Sequence, residues 1–238
     1  MLSIITINKD NLAGLRQTIE SIKQLPRNEF EWICIDSVST DGSVALAQEF
    51  AGAGDVVISE RDSGIYNAMN KGVQAARGDQ ILFLNSGDTL APQITSISGL
   101  GCDPSMDLNL FGFQIRDQIR LPRMNLWRFW SMPTSHQAII YSRALLLVEP
   151  FDESYRFAAD FEHYLRINRK PLKMKRIART LIVNEPYGSD QHLPKLLAEY
   201  RHALMKNGCP SWWAHFVFWL KTHYLKRALK IKTQNTSG

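Results

Sequence analysis

Polar side chains follow each of the first four predicted strands of this chain, and carboxylates are prominent among them. The clearest case is "ILFLNSGD", where the apolar run 81–84 stops at Asn85, Ser86, Gly87 and Asp88. Such an apolar run predicts a strand that is buried on both faces, as in a parallel sheet. A carboxylate at its end can hold a divalent cation, because hard cations bridge carboxylate and phosphate oxygens. The sequence therefore predicts an oxygen-rich site after this strand.

The same placement recurs at the other predicted strand ends. These residues are Thr6 and Asn8 after the first strand, Asp36 after the second, and Glu60 and Asp62 after the third. In open parallel sheets, ligands bind in a crevice at the carboxyl ends of the strands. We therefore expect these side chains to converge on one crevice. The alternative for any one of them is a turn or helix cap, and Asp41 before Gly42 is interpreted as an N-cap.

Strand and helix patterns alternate through the first ninety residues. The strands "LSIITI", "EWICID", "DVVISE" and "QILFLN" are separated by helical patterns over 12–22, 40–50 and 64–76. This alternation predicts βαβ units and an α/β fold with a parallel sheet. The second half has predicted strands at 107–115 and 173–184, predicted helices at 157–167 and 192–207, and an irregular aromatic-rich segment at 121–135.

Composition and missing motifs narrow the class of protein. Among 238 residues there are three cysteines, with no CxxC pair, and no secretory signal precedes the first strand, which favours the reducing cytoplasm. The sequence has neither G-x-G-x-x-G after its first strand nor G-x-x-x-x-G-K-[ST], which argues against a dinucleotide phosphate loop and a P-loop nucleotidase. A nucleotide bound here would need its phosphates neutralised in another way, and a carboxylate that holds a divalent cation can do this.

Six sequence blocks resemble the family 2 glycosyltransferases. They are "SIITIN", "EWICIDSVSTDGS", "SERDSGIYNAMNKGVQAARGD", "ILFLNSGD", "SHQAIIYSR" and "AADFEHYLRI", and they cover residues 2–170 approximately. The chain is most similar to bacterial enzymes that assemble surface polysaccharides such as colanic acid, O-antigen and capsule. The resemblance implies a GT-A fold, in which helices flank a Rossmann-like, mostly parallel central sheet. It also implies a nucleotide-sugar donor and inverting transfer.

The resemblance implies roles for individual residues by their motif positions. Asp88 matches the last acid of the family's DxD-like motif and would hold Mn²⁺ or Mg²⁺, and Asp160 in "AADFE" matches the catalytic base. Glu162 is the nearest competitor for that second role, and a helix N-cap is the alternative for Asp160. The implied nucleotide-sugar-binding residues are Thr6, Asn8, Asp36, Asp62, Asn70, Lys71, Asn85, Ser86, Gly87 and His136.

Two departures from the family pattern bear on this site. Ser37 and Val38 stand where the common "DGGSTDG" has glycines, and Asn85 stands where the metal motif more often has an acid. With a single carboxylate, strong binding of free metal is not expected. Tyr66 and Met69 are interpreted as core packing rather than as ligand contacts.

The charge is concentrated at the C-terminus. The net charge is +5, yet seven Lys and Arg residues and no acid follow Glu199. Residues 209–232 combine aromatic and basic side chains, which favours contact with the inner face of the cell membrane. The alternative is a C-terminal helix packed on the catalytic domain. We expect a GT-A domain at 1–190, with a nucleotide-sugar half at 1–90 and an acceptor half at 91–190, and a helical extension at 191–238.

These observations predict a cytoplasmic, peripheral-membrane glycosyltransferase that acts on a lipid-linked or oligosaccharide acceptor, with no nucleic-acid partner. Trp127, Phe129 and Trp130 are expected to shape the acceptor site. The alternative function is a non-catalytic subunit that binds a nucleotide-sugar or glycan in a polysaccharide assembly complex. A nucleotidyltransferase is disfavoured because the chain lacks a glycine-rich, basic N-terminal loop.

Overall fold

The computed structural model describes residues 1–123, 129–185 and 193–235, with side chains up to residue 223. The strands are β1 (Leu2–Asn8), β2 (Phe30–Asp36), β3 (Val56–Ser59), β4 (Gln80–Phe83), β5 (Thr89–Leu90), β6 (Leu108–Ile115), β7 (Gln118–Arg120), β8 (Ile139–Ser142) and β9 (Met174–Asn184). The helices are α1 (Leu12–Ile22), α2 (Ser43–Phe50), α3 (Ile65–Ala75), α4 (Arg143–Val148), α5 (Ala159–Ile167), α6 (Leu193–Lys206) and α7 (Ser211–Asn235). Short 3₁₀ turns lie at Arg27–Glu29, Ser98–Leu100 and His136–Ala138.

The strands form one sheet in the order β3-β2-β1-β4-β8-β6-β9-β5, with β7 paired to β6. β1 to β4 pair in parallel, whereas β8 runs antiparallel to both β4 and β6 and thereby joins the two halves of the sheet. The predicted α/β class and GT-A-like architecture are confirmed. The elements β5, β7, β8 and α4 were not predicted, and β5 and β7, with two and three residues, are too short to show a period.

The hydrophobic core lies on both faces of the sheet. Adjacent residues such as Ile4 and Ile5 point to opposite faces, and both are completely buried, which explains why the strands read as unbroken apolar runs. One face packs against α1 and α2, and the other packs against α3 and α5. Burying each such side chain contributes roughly 1.5–3 kcal/mol relative to leaving it exposed.

The register of the parallel strands brings their polar ends together. Asn8 pairs with Asp36 in the ladder between β1 and β2. Beyond β4 the chain stays beside β1, where the amide of Ser86 donates to the carbonyl of Ile7 at 3.1 Å. Asn8, Asp36 and Ser86 therefore meet at one edge of the sheet.

Asp41 accepts from the start of α2 as expected, but it lies one residue before the N-cap position. Gly42 occupies the N-cap position of α2, and Asp41 accepts a hydrogen bond from the amide of Ser43 at 3.0 Å. Its second oxygen accepts from the amide of Leu12 at 2.7 Å. One carboxylate therefore fixes the starts of both α1 and α2.

The last helix has a buried side and an exposed side. Ala214 and Val217 are buried in the core that α6 also joins, so the packed-helix alternative holds for this side. Trp212, Phe216 and Trp219 are 70%, 44% and 54% exposed. Within the described residues, no helix combines the length and apolarity that crossing a bilayer requires.

Candidate active site

The turn after β4 is fixed from behind by a helix residue. The hydroxyl of Thr18 in α1 donates to the carbonyl of Asp88 at 2.7 Å and accepts from the amide of Gly87 at 3.1 Å. The amide of Asp88 closes the turn on the carbonyl of Asn85 at 2.9 Å. Thr18 was not predicted as part of this region, because it lies on the buried face of an ordinary amphipathic helix.

The carboxylate of Asp88 is bound by the end of β9. Its Oδ1 accepts from the side-chain amide of Asn184 at 3.1 Å and from the backbone amide of Glu185 at 2.8 Å. Burial raises the pKa of Asp88 to about 6, against the lowering effect of these hydrogen bonds. Asn184 and Glu185 were missed, although they also follow a predicted strand and the strand-end argument would have found them.

Gly87 is required at its position. Its φ is +101°, and a Cβ atom there would lie 2.1 Å from Oε2 of Glu185. Only glycine is free of a side-chain penalty in this conformation. A glycine beside Asp88 is thus explained by its positive φ and by the close approach of the Glu185 side chain.

The surroundings of Asp88 fit a hard cation. Within the described part of the chain, Oδ1 of Asn85 and Oδ1 of Asn184 are buried and have no hydrogen-bond partner, and both residues line the same crevice as Asp88. Buried polar atoms without partners are rare, and oxygen atoms are the ligands that Mg²⁺ and Mn²⁺ prefer. The described residues include no group of three or more His, Cys, Asp and Glu that could hold a metal.

Asp36 lies behind the crevice in a hydrogen-bonded chain. It accepts from the side-chain amide of Asn8 at 2.8 Å, from the amide and hydroxyl of Ser39 at 2.8 and 2.6 Å, and from the hydroxyl of Ser59 at 3.0 Å. Burial raises its pKa, but these donors outweigh burial and leave the pKa below its usual value. Asn8 in turn accepts from the hydroxyl of Ser86 at 2.7 Å, so this series of hydrogen bonds connects Asp36 to the crevice wall through Ser86.

Thr6 and Asp62 are not brought to the crevice. The hydroxyl of Thr6 is completely buried and accepts from the indole of Trp32 at 2.9 Å. The carboxylate of Asp62 accepts from the amide of Gly64 at 3.0 Å, at the start of α3.

Asn70 and Lys71 also lie outside the crevice, in a shallow depression between α3 and residues 150–153. The side-chain amide of Asn70 donates to the carbonyl of Phe151 at 3.0 Å and to Glu153 at 2.9 Å. The amine of Lys71 donates to the carbonyl of Arg61 at 2.9 Å. Both side chains are thus engaged in contacts within the protein.

Asp160 lies in the same crevice as Asp88, which has a volume of about 830 Å³. It is the second residue of α5, whose N-cap is Ala158, so Asp160 is not the helix N-cap. Burial raises its pKa to about 6, and its Oδ1 accepts from the hydroxyl of Tyr66 at 3.3 Å. Tyr66 and Met69 are core residues as expected, but Tyr66 also reaches the site.

Glu162, the competitor of Asp160, faces away from the crevice. It is completely buried and accepts from Arg166 at 3.2 Å and from Asn207 at 3.3 Å. His163 is buried too, with Nε2 2.7 Å from the carbonyl of Glu149. Both residues therefore lie inside the core between α5 and its neighbours, and neither reaches the crevice.

His136 lines the crevice as a neutral ring. It is 6% exposed and sits among Phe83, Tyr141 and Phe151, with ring centroids 5.4 to 6.4 Å away. Burial lowers its pKa to about 4. In the described residues both ring nitrogens are buried and neither has a hydrogen-bond partner.

The second half of the chain forms the opposite wall of the crevice. Arg120 at the end of β7 lines it, together with Leu121, Arg123 and residues 131–137. Phe129 belongs to the core at 8% exposure, and Trp130 is 42% exposed but is not among the lining residues. Trp127 lies outside the described residues. Among the described residues, this wall of the crevice is therefore built from the end of β7 and from residues 121, 123 and 131–137 rather than from Trp130.

This sheet, with Asp88 and Asp160 in one crevice at its edge, is the architecture of a GT-A glycosyltransferase. The model of the family described as "Glycosyl transferase family 2" matches residues 3–153, and the chain belongs to that family.

Among curated proteins, the chain is 33% identical over 179 residues to an uncharacterized glycosyltransferase of Mycobacterium tuberculosis, covering 69% of this chain and 68% of that protein. It is 29% identical over 199 residues to a PGL/p-HBAD biosynthesis glycosyltransferase of Mycobacterium bovis, covering 77% and 76%.

Solved structures share the fold. TarS 1-349 of S. aureus superposes with a TM-score of 0.66 at 15% identity, over 91% of this chain and 69% of that chain. The mannosyltransferase PcManGT of Pyrobaculum calidifontis, in complex with GDP-Man and Mn²⁺, superposes with a TM-score of 0.63 at 15% identity, over 99% and 79%.

Proposed function

We propose that this family 2 glycosyltransferase moves a sugar from a nucleoside-diphosphate donor to a saccharide acceptor with inversion, in polysaccharide or glycolipid biosynthesis. The observation that carries the proposal is that Asp88 and Asp160 line one crevice and have different polar neighbours. Asp88 lies among amide oxygens, whereas Asp160 lies beneath a tyrosine hydroxyl. The PGL/p-HBAD relative and the GDP-Man complex support the substrate class.

Asp88, Asn85 and Asn184 would hold the divalent cation, with the donor diphosphate supplying further oxygens. The Mn²⁺ in the PcManGT complex supports this choice of metal. A cation bound there would offset the negative charge that develops on the departing diphosphate. The near-neutral pKa of Asp88 means that its carboxylate ionises readily at pH 7 and more readily still beside a cation.

Asp160 would act as the general base. As the acceptor oxygen forms its bond to the anomeric carbon, the acceptor hydroxyl passes its proton to the Asp160 carboxylate. The bond from that carbon to the diphosphate oxygen breaks on the opposite face, so one displacement inverts the anomer. A pKa of about 6 leaves the carboxylate ionised at neutral pH while keeping it basic enough to accept a proton. The Tyr66 hydroxyl would orient it.

The C-terminal extension would attach the enzyme to the inner face of the cell membrane. Trp212, Phe216 and Trp219 recur every three or four residues and expose one aromatic stripe along α7. Aromatic side chains followed in sequence by lysine and arginine suit an anionic headgroup region. A lipid-linked acceptor would then be presented beside the crevice. The boundary proposed between domain and extension, at residues 190 and 191, lies outside the described residues.

Calorimetric titration with UDP, GDP, CDP and dTDP, each with and without Mn²⁺, tests the proposal. We expect one diphosphate to bind tightly only when Mn²⁺ is present, which would also name the donor's nucleotide. No binding of any diphosphate to the folded protein would contradict it and favour the non-catalytic subunit. In that event the replaced glycines at Ser37 and Val38 would be the first residues to restore.

A further inference from the structure

We propose that Glu199, in α6, is a positioning residue for Asp160. Its carboxylate holds the turn that begins α5, and in this way it sets where the Asp160 carboxyl lies in the crevice. The inference rests on the base role proposed for Asp160. Glu199 itself is not among the residues that line the crevice.

Glu199 accepts hydrogen bonds from three consecutive backbone amides. Its Oε2 accepts from Phe157 at 2.8 Å and from Ala158 at 3.0 Å, and its Oε1 accepts from Arg156 at 3.0 Å. A carboxylate that gathers three amides from a segment some forty residues away in sequence fixes that segment relative to α6. Such charge-assisted bonds are stronger than bonds between neutral groups.

The contact fixes the chain where α5 begins. The N-cap residue of α5 is Ala158, whose side chain makes no capping hydrogen bond, and its backbone amide donates to Glu199. The amides of Arg156 and Phe157, which also donate to Glu199, belong to the turn before the helix. A negative charge at this end of a helix also interacts favourably with the helix dipole.

Asp160 follows directly from this turn. It lies two residues beyond Ala158, and Tyr66 donates to it from the other side at 3.3 Å. The ring of Tyr200, the residue after Glu199, stacks on Phe161 with centroids 4.4 Å apart. The base is therefore held between α3 and α6, and misplacement of a catalytic group by about 1 Å can cost roughly 100-fold in rate.

The ionisable groups that interact with Asp160 are Tyr66 from α3, Tyr141 from β8 and Glu199 from α6. Burial is the main cause of the raised pKa of Asp160, and the negative charge of Glu199 adds a smaller contribution in the same direction. Glu199 thus acts in two ways, by its reach to the turn and by its charge. Two substitutions separate them, because E199D keeps the charge and shortens the reach, whereas E199Q keeps the reach and removes the charge.

The experiment measures steady-state transfer against pH, and hydrogen exchange at the amides of 156–158, for the full-length chain and its variants. E199D should lower kcat by roughly 10-fold or more with little change in donor KM, and should speed exchange at these amides. E199Q should keep most of kcat, because one oxygen still accepts from Phe157 and Ala158, while the acid limb of the pH profile moves to lower pH.

The matched control is E29A. Glu29 also accepts backbone amides from a distant segment, at Ile97 and Ser98, but far from the crevice. Its loss should lower the melting temperature and leave kcat unchanged.

Two results would overturn the inference. One is unchanged exchange at 156–158 in E199D, and the other is an equal loss of kcat in E29A and E199D. If the wild-type protein transfers no sugar, the proposed function fails, whereas the exchange measurement still judges the contact by itself.

Discussion

The side-chain amide of Asn184 donates to the carboxylate of Asp88 at 3.1 Å, and its own carbonyl oxygen has no partner among the described residues. The end of β9 is thereby joined to the turn after β4, across the two halves of the sheet. An amide placed in this way presents its oxygen to whatever Asp88 binds. The cation site that we propose is thus built from both halves of the chain.

Asn184→Ala should weaken Mn²⁺ binding in the presence of the nucleoside diphosphate by roughly 10-fold, since supporting residues of metal sites typically contribute that much. Electron paramagnetic resonance of free Mn²⁺ measures this without any turnover. Asn67→Ala is the control, because that amide lies in the second depression and bonds to Glu153 at 2.9 Å. Equal Mn²⁺ binding in both variants would contradict the role of Asn184.

The transfer rate should fall as the pH drops below about 6. Both Asp88 and Asp160 have pKa values raised to about 6, and in the proposed mechanism each acts as its carboxylate, so protonation of either should remove activity. At limiting Mn²⁺ two protons inactivate the enzyme, and the rate falls by up to about 100-fold per pH unit well below the pKa. At saturating Mn²⁺ the cation keeps Asp88 ionised, and the slope should approach about 10-fold per unit. A flat profile down to pH 4.5 would contradict both assignments.

Val38→Gly should stabilise the protein. Val38 has a φ of +54° and is 49% exposed, so a β-branched residue occupies the left-handed conformation with little packing in return. Relief of that strain should outweigh the conformational entropy that glycine adds to the unfolded chain. We therefore expect the free energy of unfolding to rise by about 1 kcal/mol. Ser37→Gly is the control at a position without positive φ, and it should destabilise. Chemical denaturation that shows equal losses for both variants would refute the strain.

Replacing Trp212, Phe216 and Trp219 with serine should reduce binding to anionic vesicles and leave the fold intact, because all three side chains are exposed. Vesicle co-sedimentation measures the effect. Point substitutions are preferable to deletion of the helix, since deletion would uncover the core around Ala214 and Val217. Val148→Ser, at a side chain 78% exposed on α4, controls for the loss of exposed apolar surface. Undiminished binding by the triple variant would contradict membrane contact through α7.

The sequence predicted the parallel half of the sheet well, because four apolar strand segments alternate with helical patterns in the first ninety residues. The resemblance to family 2 glycosyltransferases implied that Asn85, Ser86, Asp88, His136 and Asp160 share a site, and the structure places all five in one crevice. The sequence alone could not show that Thr6 lies away from the site, because its hydrogen-bond partner, the indole of Trp32, lies on another strand. The positioning role proposed for Glu199 could not be predicted either, because only the structure shows which backbone amides this helix residue accepts from.

The central claim is that Asp160 takes the acceptor proton while Asp88 serves the diphosphate. Donor turnover and calorimetric nucleotide binding should therefore be measured side by side for the wild type, Asp160→Asn and Asp88→Ala. We predict that Asp160→Asn abolishes transfer and binds the nucleotide with Mn²⁺ as the wild type does, whereas Asp88→Ala weakens that metal-dependent binding. Wild-type turnover in Asp160→Asn would contradict the account, and so would metal-dependent binding in Asp88→Ala that matches the wild type.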